Sequence, residues 1–365
     1  WEHAASPADI LLVELARLYS RQGDWRMASE VAQRAQSAGA TDPLLKLLHV
    51  GAGISSMVSQ GRIEPEQVNS FSSVLTELRQ EHPSRVDIRL FQAILANLLD
   101  RPEEAERELR LAIEECEETL RAEMQLVRHY HANERRDEAL RVCETACERH
   151  PDVAAVWMAL ADLHLAGGDV EAGRGCFEEA LDTISADRQK RLVTIKLALL
   201  ELTRGDRTDG IALLKGLAAG NPQEVQARLL LLGTPEIRVE DPDAAQTLVS
   251  ELRQAEGQTG LWWRLHQASL WLASDNWQSH KRQIGDLLEY CISADPTWPA
   301  PVLALAGMYS RLGETDRVEA LYRQGLLANP SATELADPLM ALLEEQQRFV
   351  DAERILRQIS RNPRA

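Results

Sequence analysis

The sequence predicts an all-α fold built from stacked pairs of helices, and three observations lead to this prediction. A motif of apolar and small residues recurs about every 34 residues along the chain. Between the turns, apolar residues follow the i, i+3, i+4, i+7 spacing of amphipathic helices almost without interruption. The hydrophobic content of 44% comes mainly from Leu and Ala, and aromatic residues reach only 5%, which favours helix over sheet.

The period divides the chain into ten helix–turn–helix units, which we call repeats 1 to 10. They cover approximately 7–42, 43–83, 84–117, 118–151, 152–186, 187–222, 223–259, 260–296, 297–330 and 331–363. Repeats 2, 7 and 8 diverge: the second has a longer loop around Gly61, the seventh a polar insert from Gly233 to Pro242, and the eighth four tryptophans. We expect a single array over residues 1–365, because repeats can be added without splitting a chain into domains.

Short turns separate the two helices of a repeat. Gly168 and Gly313 mark two of them, and Gly readily adopts the left-handed conformation that ends a helix. Between repeats, pairs such as Asn329-Pro330 stop the helix, because the residue before Pro is pushed out of the α region.

The motif resembles the tetratricopeptide repeat, W-x2-L-G-x2-Y followed by A-x3-F and P. Its slots in the fifth repeat hold Trp157, Leu160, Ala161, His164, Gly173, Phe177 and Ala180. The resemblance spans essentially the whole chain and implies a right-handed superhelical solenoid, in which the first helix of each repeat lines a concave groove. It also implies a non-catalytic scaffold that binds a protein or peptide partner.

The resemblance further implies that positions 5 and 9 of each first helix face a ligand. Carried onto this chain, these positions are Val13 and Arg17, Met124 and Arg128, Met158 and Asp162, Ile195 and Leu199, and Leu303 and Gly307. The family's clamp for chaperone tails needs Lys and Asn in such slots, so a chaperone-tail adaptor is disfavoured.

The tryptophans of the eighth repeat offer a second candidate site. If Trp262 packs in the core, then Trp263, Gln267, Leu270 and Trp271 point into the groove. Aromatic anchors beside an amide are typical of binding hot spots. The alternative is that Trp263 and Trp271 pack against the seventh repeat and fix the curvature. The sequence leaves both interpretations open.

Charge and motif content argue against other classes of function. The net charge of −17 disfavours nucleic-acid binding. We predict no enzymatic activity, cofactor, metal or small-molecule substrate, because no nucleophile–base pair or phosphate loop stands out. Cys143, Cys147 and His150 share a helix face, but a fourth ligand is missing and Cys143 fills a packing slot. We therefore expect five free thiols buried between helices.

Two expectations concern assembly. The second helix of repeat 10 carries Phe349, Val350 and Leu356 without a polar outer face, so either the chain continues or this end self-associates. The chain begins at Trp1, which favours an alternative: a repeat segment of a larger bacterial enzyme, or of a membrane-anchored envelope assembly such as a polysaccharide-export system. The sequence does not determine the compartment.

Overall fold

The computed structural model describes residues 7–21, 24–37, 43–60 and 64–360. These residues form 21 α-helices and two short 3-10 turns, and they contain no strand. The prediction of an all-α repeat fold is confirmed. The chain forms two compact units, Trp1–Val193 (the N-unit) and Thr194–Ala365 (the C-unit), and the boundary falls within one helix, Asp187–Arg204 (α11).

The N-unit contains ten helices before α11. They are Pro7–Arg21 (α1), Trp25–Ser37 (α2), Pro43–Gln60 (α3), Pro65–Glu81 (α4), Val86–Leu98 (α5), Pro102–Glu115 (α6), Leu120–Ala132 (α7), Arg136–Arg149 (α8), Ala154–Ala166 (α9) and Val170–Thr183 (α10). The loop of the second repeat at residues 61–63 lies outside the described residues.

The C-unit contains ten further helices after α11. They are Arg207–Gly220 (α12), Val225–Gly233 (α13), Pro235–Arg238 (α14), Pro242–Glu256 (α15), Trp262–Ala273 (α16), Lys281–Ala294 (α17), Pro299–Arg311 (α18), Thr315–Ala328 (α19), Thr333–Glu345 (α20) and Phe349–Ser360 (α21). The two 3-10 turns, Gly257–Thr259 and Trp277–His280, precede α16 and α17.

Small residues set the close packing of the helices. Ala16, Ala139 and Ala161 in the N-unit are fully buried, as are Ala268 and Ala306 in the C-unit. A short side chain lets two helix backbones approach, and the larger apolar residues beside it fill the remaining space.

The turns between paired helices share one backbone conformation at matching positions. In the N-unit, φ is positive at Asp100, Glu134 and Gly168, which are spaced by 34 residues. In the C-unit the same spacing separates Gly313 and Gln347, whose φ values are 73° and 60°. The left-handed conformation costs a non-glycine residue about 1–2 kcal/mol. The repeat geometry therefore imposes this turn even where the sequence offers no glycine.

One kind of salt bridge between consecutive repeats occurs in both units with the same residue spacings, and we call it the inter-repeat clamp. In the N-unit, Glu106 on α6 accepts hydrogen bonds from Arg135 at 2.5 Å and from the Tyr130 hydroxyl at 2.8 Å, and it also pairs with Arg110 at 2.9 Å. Arg135 in turn bonds Glu138 at 3.0 Å. The helical period and the repeat motif do not indicate this arrangement.

The C-unit repeats the inter-repeat clamp with the same spacings. Glu319 on α19 accepts from Arg348 at 2.7 Å and pairs with Arg323 at 2.9 Å, and Arg348 bonds Asp351 at 2.7 Å. In both clamps the arginine of the following repeat lies 29 residues after the glutamate. It stands at the turn before the second helix, so the bond fixes that helix against the preceding repeat.

The insert of the seventh repeat differs from the expected polar loop. Residues Pro235–Arg238 form the short helix α14, and Ile237 is buried among the core residues Leu231 and Ala245. Arg228 is also buried and donates hydrogen bonds to the backbone oxygens of Ala218, Asn221 and Glu224. The seventh repeat is therefore a packed part of the C-unit core.

Candidate protein-binding surfaces

Trp263 lies in the core of the C-unit and not on its surface. Only 7% of the residue is exposed, and it packs with the seventh-repeat residues Leu231 and Leu252. Its indole N–H donates to the Gly257 carbonyl at 3.2 Å, and the Arg264 guanidinium lies 4.4 Å from the ring centroid. Of the two interpretations left open by the sequence, the structure supports packing against the seventh repeat for Trp263.

Gln267 is also buried, with 9% exposure. Its side-chain amide exchanges two hydrogen bonds with that of Gln246 on α15, at 2.8 and 3.0 Å. This pair satisfies both amides between the seventh and eighth repeats. The placement of Gln267 and Trp263 in the groove was therefore wrong, because both side chains are used in packing.

Trp262, whose packing in the core was the condition for the groove assignment, is 42% exposed. Its ring meets that of Trp298 edge to face, with centroids 4.6 Å apart, and stacks on His266 at 6.5 Å. We call Trp262, His266 and Trp298 the tryptophan patch. Burial, with a smaller effect from Arg238, lowers the pKa of His266 to about 4, so the imidazole is neutral at pH 7. The patch is a fixed aromatic surface.

The exposure of Trp262 follows from the register of α16. Ala268 is fully buried and occupies the small slot that Ala306 fills in the ninth repeat. The large packing slot of the motif lies four residues before the small slot, and in α16 this position holds Arg264. Trp263, the residue before Arg264, packs beside it. An alignment on Ala268 would have placed Trp262 on the outside of α16.

The other predicted residues of the eighth repeat are half-buried. Leu270 packs against the same core cluster as Trp263. The Trp271 ring stacks on His280, with centroids 4.8 Å apart and planes 7° from parallel. Both side chains retain partial exposure at the edge of the core.

The predicted N-unit residues lie on α7 and α9. Arg128 and Asp162 are exposed, and Met124 and Met158 are half-buried. The side chain of Arg17 lies outside the described residues. On α11, Ile195 is buried with 4% exposure, so its assignment to a contact surface was wrong, whereas Leu199 is half-buried.

Arg128 borders a cleft of about 370 Å³ between α5 and α7, which we call the α5–α7 cleft. Leu90 and Ile94 supply apolar walls, and Asn97 and His129 add polar groups. Burial lowers the pKa of His129, and its Nδ1 atom has no hydrogen-bond partner among the residues that the structure describes. The cleft thus combines apolar walls with one cation, a lining that suits a peptide side chain better than a reaction centre.

The residues considered for chemistry are occupied in packing or ion pairs. All five cysteines are free and buried, as predicted. Cys143 contacts the Val156 carbonyl at 3.6 Å, while His150 pairs with the buried Glu123 at 3.1 Å. Within the described ranges, no group of three or more His, Cys, Asp or Glu residues is arranged to hold a metal ion. Over the same ranges, no helix combines the length and apolar character that a membrane crossing requires.

Two family models match different parts of the sequence. The model for the tetratricopeptide repeat protein 21 ARM repeat matches residues 89–231, and a tetratricopeptide repeat model matches residues 11–45. No curated protein shows a significant sequence match.

Similar solved structures share little sequence with this chain. The crystal structure of yeast Tom70 is 12% identical, covers 96% of this chain and 92% of its own, and gives a TM-score of 0.49. The thermophilic tetratricopeptide protein TTC0263 of Thermus thermophilus is 18% identical over 53% of this chain and 99% of its own, with a TM-score of 0.41. The Cut9–Hcn1 structure is 13% identical over 99% and 75%, with a TM-score of 0.43.

The helix pairs and the family matches lead to the same assignment. The recurring turn conformation and the buried alanines occur in both compact units, and the two family models match separate stretches of the sequence. The chain is an all-α helical-repeat protein that is similar to the tetratricopeptide repeat family over residues 11–45 and 89–231.

Proposed function

We propose that this chain is a non-catalytic scaffold for protein–protein interaction and that the tryptophan patch is a contact point for its protein partner. The observation that carries the proposal is the 42% exposure of Trp262, a large indole held in place by Trp298. Tryptophan is enriched in binding hot spots because it buries a large area and loses little conformational entropy.

The surroundings of Trp262 support this proposal. Its backbone N–H bonds Glu256 at 3.4 Å, and the neighbouring Trp263 is anchored in the core. The exposed indole therefore projects from a rigid part of α16. A preorganised side chain of this kind contributes more to affinity than a mobile one, because less entropy is lost on binding.

The N-unit offers a second contact region of different chemistry. Arg128 and the half-buried Met124 lie on α7, where Arg128 also borders the α5–α7 cleft, and Met158 and Asp162 lie on α9. We include these side chains in the proposed contact surface, because a cation and a carboxylate beside apolar groups give a partner both orientation and burial. Leu199 on α11, Leu270 and Trp271 are also included on the C-unit.

Photo-crosslinking tests the tryptophan patch directly. The photoreactive residue p-benzoyl-phenylalanine replaces Trp262 in the full chain, and a matched control carries it at Tyr290, which is 40% exposed. We expect a discrete protein adduct from position 262 in cells that express the chain. Equal adducts from both positions, or none from position 262, would contradict the proposal.

A further inference from the structure

His129 lines the α5–α7 cleft with a side chain that the protein leaves without a hydrogen-bond partner. The residue is only 5% exposed, and its Nδ1 atom is buried. Neither ring nitrogen bonds any residue of the described part of the chain. Buried polar atoms are nearly always hydrogen-bonded, because an unpaired one costs free energy. An unpartnered imidazole in the wall of a cleft therefore indicates a bound ligand.

The burial of Nδ1 decides which nitrogen of His129 carries the proton. Burial lowers the pKa of His129, so the imidazole is neutral at pH 7 and has one N–H group. A proton on Nδ1 would be a buried donor without an acceptor, which costs more than an unpaired lone pair. The proton therefore lies on Nε2, the ring nitrogen that the protein does not enclose. Through Nε2, His129 offers a hydrogen-bond donor to the cleft.

Arg128 supplies the charge of the site. Among the residues that the structure describes, it is the only cation lining the cleft, and no carboxylate lines it. Its Nε atom donates to the backbone oxygen of Met124 at 3.3 Å, and its guanidinium makes no salt bridge within the same ranges. Because Arg128 and Nε2 of His129 both donate, the complementary group is a negatively charged acceptor.

The charge balance favours a carboxylate over a phosphate. A carboxylate carries one negative charge and has two oxygens, enough to accept from both donors. A phosphate dianion would meet one cation in a chain with a net charge of −17, which opposes its binding. The site therefore matches a single carboxylate.

The remaining walls of the cleft are apolar. Leu90 and Ile94 project from α5 and Leu109 from α6. The volume of about 370 Å³ lies in the range of small-molecule sites, which begins near 300 Å³. All lining residues belong to the continuous described stretch 64–360. The cleft thus accommodates an apolar body of the size of an aromatic side chain.

We propose that the α5–α7 cleft binds a small free monocarboxylic acid with an apolar body, whose carboxylate accepts hydrogen bonds from Arg128 and from Nε2 of His129. The acid is a ligand and not a substrate, since the described residues place neither a carboxylate nor a thiol in the lining. This site adds ligand binding to the scaffold function. It does not depend on the tryptophan patch, which lies in the C-unit, so either proposal can fail without the other.

Titration of the full chain with 3-phenylpropionate, followed by saturation-transfer NMR of the ligand, tests this proposal. We expect saturable binding with a Kd of about 1 mM or below, as for a ligand of this size. The neutral analogue 3-phenylpropanamide should bind about tenfold more weakly, because it lacks the charge-assisted hydrogen bonds.

Two arginine variants of α7 locate the binding site. Arg128→Gln should weaken the binding of 3-phenylpropionate by about tenfold. The matched control Arg121→Gln removes an exposed arginine of the same helix that pairs with Asp87 outside the cleft, and it should leave the affinity within about twofold. Equal affinities for Arg128→Gln and the native chain, equal binding of acid and amide, or no saturation at about 10 mM acid would overturn the proposal.

Two further measurements address the donor and the source of the carboxylate. Long-range ¹H–¹⁵N NMR should show the proton of His129 on Nε2, and a proton on Nδ1 would contradict the proposed hydrogen bond. The peptide N-acetyl-Ala-Ala-Phe carries the same phenylpropionate group at the end of a chain. Binding of this peptide more than about tenfold tighter than that of the free acid would assign the cleft to a partner protein's chain end and overturn the proposal.

Discussion

The guanidinium of Arg348 donates a 2.7 Å hydrogen bond to the carboxylate of Glu319, which lies 29 residues earlier on the preceding repeat. Arg135 and Glu106 make the same contact in the N-unit. Because the contact recurs at the same spacing in two compact units, it belongs to the way repeats of this chain stack. The free energy that this contact contributes to folding can be measured.

Removal of Arg348 should destabilise the C-unit measurably but modestly, since the bond is charge-assisted but the arginine is partly exposed. Chemical denaturation of Arg348→Ala, Glu319→Gln and the double variant measures the coupling between the two side chains. Arg354→Ala removes an exposed pair with Asp351 and should change stability by less than about 0.5 kcal/mol. A coupling energy of zero between Arg348 and Glu319 would contradict the account.

The same contact predicts a loss of stability in acid. The hydrogen bond from Arg348 is the main cause that holds the pKa of Glu319 below its ordinary value of 4.5. A carboxylate with a depressed folded-state pKa contributes stability above its unfolded pKa, and this contribution is lost as the pH falls through the folded value. Denaturation midpoints measured from pH 6 to pH 3 should therefore fall more steeply for the native chain than for Glu319→Gln. Parallel curves would rule out a contribution from this group.

The turn residues with positive φ predict opposite changes in stability for substitutions at two equivalent positions. Glu134→Gly should stabilise the N-unit by about 0.5–1 kcal/mol, because glycine adopts the observed φ of 60° without strain. Gly168→Ala should destabilise it by about 1 kcal/mol, although an added Cβ would meet no atom within 4 Å. Thermal and chemical denaturation of both variants provide the check. A destabilising Glu134→Gly would indicate that the Glu134 side chain stabilises the turn.

The apolar pattern predicted the helix-pair fold because packing imposes it at every repeat. Ala161 and Ala306 occupy the small slot of the first helix, Ala139 occupies that of the second helix, and all three are fully buried. The period therefore carries direct information about how closely the helices approach. The residues of the inter-repeat clamp do not stand out in the sequence in this way. Its glutamate and arginine are 29 residues apart, and each stands in a sequence already rich in charged residues.

The candidate site was predicted less well, and in repeat 8 the physical reason can be identified. Arg264 and Gln267 are polar residues in packing positions, where hydrogen bonds to Gln258 and Gln246 satisfy them. An alignment that expects apolar side chains in these positions puts Trp262 in the slot of Arg264, a shift of two residues, and exchanges the assignments of Trp262 and Trp263. On α7 and α9, where the packing residues are apolar, Arg128 and Asp162 are exposed. Their role as ligand-facing residues stays a prediction.

The most direct test of the central claim compares Trp262→Ala with Trp263→Ala by chemical denaturation, because only the exposed tryptophan is available to a partner. Trp263→Ala should lower the free energy of unfolding by about 3–5 kcal/mol, as expected for a buried aromatic side chain. Trp262→Ala should lower it by less than about 1 kcal/mol, since Trp262 is 42% exposed and Trp263 only 7%. The reverse order, with Trp262 as the costly loss, would show that Trp262 belongs to the core and would contradict the account.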